Sequence, residues 1–580
     1  MSHNRRERQG PKFRKSTTPS RRRRLNLELL EDRLVLSTFT VTNLTDADTG
    51  SLRDMIAQAA ANSEADTIVF APGLANGTIT LSSNSSNTAF GPTALTIVND
   101  DVTIDGADAP MIQISGNDAR RIFAVGSGAS LTLENITLTG GRAQGGAGGD
   151  TSANASIGTG GGGAGLGGAI YVYGGTLSVK NATLFDNTAQ GGAGGGSGTV
   201  GGTNGATGGG SAGGAGGGFD NVGNGAGGGG GVGGAGSINS SATGGVGGAN
   251  ESGDAAPAGA NGVDGGGGGG GSNNTMKGGD GTSLSSGGLG GGGGGGFGTL
   301  DDITLTYSQG GGDGGFGAGG GGSAGGDGGA GGFGGGGGGS FNGAGGAGGY
   351  GAGAGGTSGG GGAGLGGAIF VNAGTVNIEN STFTGNTAAG GAGGANGDGN
   401  AGTGIGDAIF NYNGTLTVNS ATISGNSGEV GVYSLGDAAT ATVAINNSIL
   451  GQAVASADGF VGATVNAGTS TTSGVGNLIR SATGFSGTVV STDDPLLGAL
   501  ADNDGPTKTM LPGGASPVLS AGDFAVNTLA TDQRGLFRGF GSTIDVGAVQ
   551  ATQPTAPAIT SAGSTTFVVG TGGTFTFTAT

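Results

Sequence analysis

One block recurs along this chain and limits what it can fold into. GGAIYVYGGTLSVKNATLFDNTA begins at Gly167, GGAIFVNAGTVNIENSTFTGNTA at Gly366 and GDAIFNYNGTLTVNSATISGNS at Gly406. The first two are offset by 199 residues and the last two by 40. Fainter copies flank them, ASLTLENITLTGG from Ala129 and ATVAINNSILG from Ala441. Each unit reads as three short alternating strands separated by turns. Ile170, Leu177, Val179 and Leu184 supply inward apolar positions in the first copy. Ile369, Val376, Ile378 and Phe383 do so in the second, and Ile409, Leu416, Val418 and Ile423 in the third. One such unit cannot bury its own apolar face, but stacked units share a continuous core. The expected fold is therefore all-β, a right-handed parallel β-helix. Asn187, Asn386 and Asn426 close the copies at one shared position, which predicts stacked asparagines bonding between coils in left-handed turn geometry.

Strand patterning starts at residue 38, with TFTV (38–41), TIVF (67–70), TITL (78–81), LTIV (95–98), VTID (102–105) and IQIS (112–115). The one convincing helix lies at Ser51–Ala61. Ser51 and Asp54 form a capping box, and Leu52, Met55, Ile56 and Ala59 share one face. A short amphipathic helix ahead of many strands suits a cap on the open end of a stack.

Glycine is the second signal. The chain has 154 glycines among 580 residues, and residues 191–360 hold 87 of them. GGGGAGLGGAI occurs at 160–170 and again at 359–369. The stretch 188–365 thus reads as an insert between two successive coils of one helix. Its apolar residues are too sparse to offset backbone ordering of about 1–2 kcal/mol per residue, so disorder is expected. Only LDDITLTYS (300–308) reads as an ordered strand within it. Collagen fails for want of a glycine at every third position, and a phosphate loop for want of GK[ST].

Composition removes whole classes of chemistry. Cysteine and tryptophan are absent and His3 is the single histidine, in a basic leader. Ser-His-Asp and Cys-His nucleophiles, zinc fingers, haem-ligating histidines and disulfides are excluded from the body. Residues 1–33 hold 11 Lys/Arg and 4 Asp/Glu, leaving 10 Lys/Arg against 35 Asp/Glu in the remainder. A body of net −25 repels phosphate backbones, so nucleic acid is not an expected partner. No apolar run approaches the ~20 residues of a spanning helix, so no transmembrane segment is expected.

Four pieces carry resemblances. Leu30-Glu31-Asp32-Arg33-Leu34-Val35-Leu36-Ser37 resembles the LEPR-XLL motif of large exported planctomycete proteins, with Asp32 where that motif has Pro. Residues 1–37 are read as an export segment rather than a nucleic-acid-binding arm. The GGAI and FxxN elements, complete at Gly366–Ile369 and Phe383–Asn386, resemble repeats of chlamydial polymorphic membrane proteins. The Gly167 copy has Leu184 for Phe, and the Gly406 copy departs at Asp407 and Ile423. SLRDMI (51–56) resembles a CSLREAI element without its Cys. Residues 491–550 resemble the choice-of-anchor Q module through Asp494–Gly498, Gly505–Thr507, Ser516-Pro517, Asp532-Gln533-Arg534-Gly535 with Arg538, and Asp545–Ala548. These imply a secreted bacterial β-helix over 38–490, ended by that module. Residues 551–580 read as a linker and incomplete Ig-like strands.

Two functions compete. The favoured one is a non-enzymatic cell-surface or extracellular protein of adhesin or matrix type, meeting glycans, matrix or other surface proteins. The alternative is a polysaccharide lyase or glycosidase on a β-helix, which needs paired carboxylates. Asp100-Asp101, Asp301-Asp302 and Asp493-Asp494 are adjacent pairs, but neighbours on a strand face opposite ways. Asp532, Arg534, Arg538 and Asp545 read either as a catalytic arginine between carboxylates or, preferably, as an ion-pair network capping the last coil. Calcium is the one cofactor hinted at, by Asp46 with Asp48 and by GANGVD (259–264); turn chemistry explains the first and chance the second. No catalytic, cofactor or metal residue is assigned.

Overall fold

A computed structural model describes residues 37–61, 64–87, 89–150, 158–196, 280, 310–323, 325–428, 430–452, 457–538 and 543–551. The export segment, the strand expected at 300–308, GANGVD, Asp301-Asp302 and the Ig-like strands lie outside the described residues. The described chain is a right-handed parallel β-helix with three long sheets. Sheet 1 has nine strands, from Ser37–Val41 to Thr469–Ser473. Sheet 2 has eight, from Thr93–Ile97 to Ala482–Thr483, and sheet 3 nine, from Thr78–Thr80 to Val489–Ser491. All their pairings are parallel.

The repeats become successive coils in register. Tyr171 pairs with Phe370 and Phe370 with Phe410; Leu177 pairs with Val376 and Val376 with Leu416. The 199-residue offset thus joins adjacent coils, as the insert reading required. All twelve apolar positions named from the repeats are at most 1% exposed and belong to one continuous core. Two further three-stranded sheets of short strands, Gly364–Leu365 and Thr387–Ala389 among them, were not anticipated from the sequence.

The asparagine stack is present, with its geometry corrected. Asn187 Nδ2 donates to Asn386 Oδ1 and Asn386 Nδ2 to Asn426 Oδ1, both at 2.9 Å. The left-handed residues are the ones just before them, Asp186, Gly385 and Gly425, with φ of 54°, 68° and 70°. A second left-handed column runs through Asn135, Asn181, Asn380, Ser420 and Asn447.

Helix α1, Leu52–Ala59, lies at the N-terminal end with Leu52, Met55, Ile56 and Ala59 buried. The Asp54 N–H donates to Ser51 Oγ at 3.2 Å, and the Asp54 carboxylate accepts from Gly50 N–H at 2.7 Å. Asp46 is buried between the Arg53 guanidinium, at 2.6 Å, and the N–H and hydroxyl groups of Ser82 and Ser83. Burial alone would raise its pKa, but the bonds from Ser83, Arg53 and Ser82 outweigh it and hold Asp46 at about 2.

The expectation of disorder fails for the described end of the insert. Residues 310–357 repeat every 17 residues, with Phe316-Gly317, Phe333-Gly334 and Tyr350-Gly351 in step. Each repeat runs out, turns at the left-handed glycine (φ 78°, 75° and 74°) and runs back. Gly311, Gly314, Gly317, Gly320 and Ser323 donate to the carbonyls of Asp327, Ala330, Phe333, Gly336 and Gly339 at 2.8–2.9 Å. A donor at every third residue is the period of a polyproline-II chain, whose polar groups all point away from its own axis. The remaining groups bond in other directions, Gly321 to Gly312 and Gly161 to Gly320 among them. Glycine runs leaving and re-entering the coils, at 145–149, 191–196 and 390–394, join the same bundle through bonds such as Gly148 to Ala193 and Gly194 to Ala392. A Cβ at Gly161, Gly191 or Gly336 would come within 3.0 Å of a neighbouring carbonyl oxygen. Backbone hydrogen bonds supply the order that apolar burial could not.

Candidate binding surface

Three sheets give three outer faces, and the chain treats them differently. Sheet 2 points Tyr171, Phe370, Phe410 and Tyr433 outward in one column, the neighbouring rings 5.2–5.6 Å apart. Against them lies a second stack from the glycine bundle, Phe316, Phe333 and Tyr350, at 5.0 and 5.7 Å. Tyr412 closes the seam, 4.4 Å from Phe333. Tyr171, Phe370 and Phe410 are fully buried there. Arg121, also buried, lies over Tyr171 at 5.4 Å and donates to the carbonyls of Phe90, Leu166 and Gly167. Burial lowers its pKa to about 10.

Sheet 3 is covered by the C-terminal module. Thr183, Thr382 and Thr422 point outward in one column, yet all are buried. Gln533 is inserted between two coils: its amide donates to Ala182 O at 3.1 Å and Thr183 Oγ1 at 3.0 Å, and accepts from Thr382 Oγ1 at 2.6 Å. Asn380 Nδ2 reaches Thr531 O at 2.7 Å, and Gly547 N–H reaches Asn447 O at 2.8 Å. Asp532 and Arg534 pair at 2.8 Å. Arg538, 2% exposed, donates to Asn380 Oδ1 and to the carbonyls of Asp545 and Gly547; burial lowers its pKa to about 10, against the charges of Asp532 and Asp545. Asp545 Oδ1 accepts from Ser520 N–H at 2.7 Å. The bonds of Arg538 go to an amide and main-chain carbonyls, while the ion-pair reading of this group agrees with its contacts at Asp532–Arg534. Its placement does not: the module runs back along the side of the coils, reaching as far as Met111 N–H through Pro506 O, instead of closing the last coil. The outward threonine column offers bonding partners that an apolar coil end lacks.

Among the described residues, none is laid over sheet 1. Its outward positions read Thr38, Thr67, Thr103, Thr132, Ser178, Asn377, Thr417, Ala444 and Ser473 in one column. A parallel column reads Asp101, Ser130, Thr176, Thr375, Thr415, Thr442 and Thr471. None of these side chains is buried. Coils repeat at about 4.8 Å and alternate residues along a strand at about 6.5 Å, so the hydroxyls form a near-planar lattice. At one margin Lys180 pairs with Glu134 at 3.0 Å, which with Glu379 beyond it raises the lysine's pKa.

The two described carboxylate pairs do not come together as an acid/base pair. Asp100 is buried while Asp101 is exposed, with the Asp101 N–H donating to Asp100 Oδ1 at 2.9 Å. Asp493 and Asp494 are both exposed; the first bonds Ser491 and the second lies 4.0 Å from Arg480. Asp46, a calcium suspect, is committed to Arg53. Among the described residues no group of three or more His, Cys, Asp or Glu is placed to hold a metal ion, and no helix is long and apolar enough to cross a membrane. Sequence reasoning missed the 17-residue repeat, the bonds of Gln533 to the coils and the aromatic columns. The first was legible as Phe/Tyr-Gly at fixed spacing, and the last as an aromatic following each GGAI or GDAI. Compared with family models, curated proteins and solved structures, the chain matches none of them.

Proposed function

We propose that this chain is an exported, non-enzymatic surface protein that meets its partner through the open face of sheet 1. One observation carries the reading: the chain spends its glycine bundle on one outer face and its C-terminal module on a second, and leaves the third as a flat lattice of hydroxyls and amides. Such a face offers many weak, repeated hydrogen bonds and no concave site to hold a reacting bond, which suits adhesion to a repetitive partner such as an extracellular glycan or matrix polymer. The LEPR-XLL-like start and the choice-of-anchor Q-like end support export and display outside a bacterial cell. The enzyme alternative rests on fold-level analogy.

The test is a polysaccharide and glycan screen scored for binding and for turnover, with and without Ca2+. Selective binding is expected, lost in the double variant Ser178→Arg, Thr417→Arg with the fold unchanged by circular dichroism. Turnover of any glycan, or binding untouched by that variant, would overturn the proposal.

A further inference from the structure

The sheet 1 strand Asp66–Phe70 begins with an aspartate where the core should be. Its burial alternates, with Asp66, Ile68 and Phe70 inside. Asp66 pairs with Val102, and the same column continues through Leu131, Leu177, Val376, Leu416 and Val443. Every later coil to Val443 therefore holds Val or Leu where this strand holds a carboxylate, and on its other side Ser37 of the first strand pairs with Asp66. Asp66 is 2% exposed, and neither of its carboxylate oxygens has a hydrogen-bond partner.

A second carboxylate stands beside it. Asp100 lies two residues before Val102 on the adjoining coil and is 8% exposed. Its column, read from the residues before Ser130, Thr176, Thr375, Thr415 and Thr442, is otherwise Ala129, Gly175, Gly374, Gly414 and Ala441. Two neighbouring coils thus replace small or apolar core residues with acids. Burial raises the Asp100 pKa, the Asp101 N–H bond to Oδ1 lowers it, and the charge of Asp66 adds to the rise. Among the described residues, the arginines of this end are committed elsewhere, Arg53 to Asp46, Arg120 to Asn84 and the Leu81 carbonyl, and Arg121 to main-chain carbonyls and Thr93.

We infer that Asp66 and Asp100 form a buried divalent-cation site of the calcium class that locks the first coils together. A buried, unpaired carboxylate is strongly disfavoured unless paired or bound to a metal. Two carboxylates are neutralised by one divalent cation. Calcium accepts carboxylate and main-chain oxygens in irregular sets of six to eight, as a β-helix corner would supply them, whereas magnesium demands an octahedron and keeps its waters. The site is independent of the open face of sheet 1, and its failure leaves the functional proposal standing.

The experiment uses the full chain, stripped with EDTA and dialysed, then titrated with CaCl2 or MgCl2. Equilibrium dialysis counts bound ion and thermal unfolding reports stability. The expected result is about one tightly held Ca2+ per chain and an unfolding midpoint raised by about 3–6 °C, with a smaller response to Mg2+. Asp66→Asn and Asp100→Asn each abolish both effects. Asp66→Leu, which restores the residue type of its column, folds without calcium and ignores it, so loss of binding there cannot be misfolding. No tight ion and no shift in the unaltered chain overturns the inference. So does calcium uptake that persists in Asp66→Leu.

Discussion

The coils and the glycine bundle are two ways of stacking the same chain. In the coils, alternate side chains point inward and the backbone bonds only to the coil before and the coil after. Phe383, Ile378 and their columns fill the space between sheets, so side chains hold the structure and choose its register. In the bundle the bonds radiate in several directions at a three-residue period, which leaves no room for a Cβ at Gly161 or Gly336. There the backbone holds the structure, and side chains matter only at the seam of Phe316, Phe333 and Tyr350. Ordering glycine costs roughly 1 kcal/mol more than ordering alanine, a cost offset by many intersegment bonds and by docking on sheet 2. Thus a segment poor in apolar residues can be ordered if a folded neighbour supplies the first rung.

Removing a side chain from a coil should have the largest effect. Phe383→Ala should lose about 3–5 kcal/mol by urea unfolding and lower protection of coil and bundle together, because the bundle stands on the coil. Adding one methyl to the bundle should cost less and stay local. Gly336→Ala is expected to cost about 1–3 kcal/mol, with hydrogen exchange rising across 310–357 while the sheet 1 strands keep their protection. Gly514, which has nothing within 4 Å of a built Cβ, is the control: Gly514→Ala should stay within about 0.5 kcal/mol of the parent. Equal effects at both glycines would break the comparison.

Asn386→Ala removes an amide that donates to the Leu184 carbonyl and the Asn426 side chain and accepts from the Asn187 N–H and Nδ2, of which Nδ2 keeps its bonds to the Leu138 and Phe185 carbonyls. About 1–3 kcal/mol should be lost, read as a shifted urea midpoint. A contact held by charge behaves differently. Asp46 has its folded pKa depressed to about 2 from 3.8, so its contribution is full above pH ~4 and disappears as pH falls towards 2. On the order of 1–2 kcal/mol should vanish over that window, and Asp46→Asn should flatten that part of a stability–pH curve. The smallest effect belongs to the exposed pair: Lys180→Gln should change stability by about 0–1 kcal/mol, less at high salt.

The stack of coils was legible because its information is local. Alternation in LSV, VNI and LTV, with a turn residue at each end, names the inward positions before any contact is known. The same logic reached the asparagine ladder but missed which residue turns left-handed, since Asn and Gly both tolerate that geometry. Asp66 escaped notice because in the sequence it is one acid among 39. It becomes conspicuous only when its column is seen to be Val and Leu. Gln533 reads as part of a motif; its partners Thr183 and Thr382 are some 350 and 150 residues away along the chain.

By itself, then, the sequence determined the coil, its core columns, its capping helix and the absence of histidine and thiol chemistry from the body. Each of these depends on side chains and short-range periodicity. The tertiary structure alone decided that the glycines of 310–357 are ordered, that the terminal module lies along the coils, and that no described residue covers sheet 1. Glycine carries no side-chain pattern, and its three-residue bonds run entirely between segments, so their order exists only once the neighbouring chains are in place.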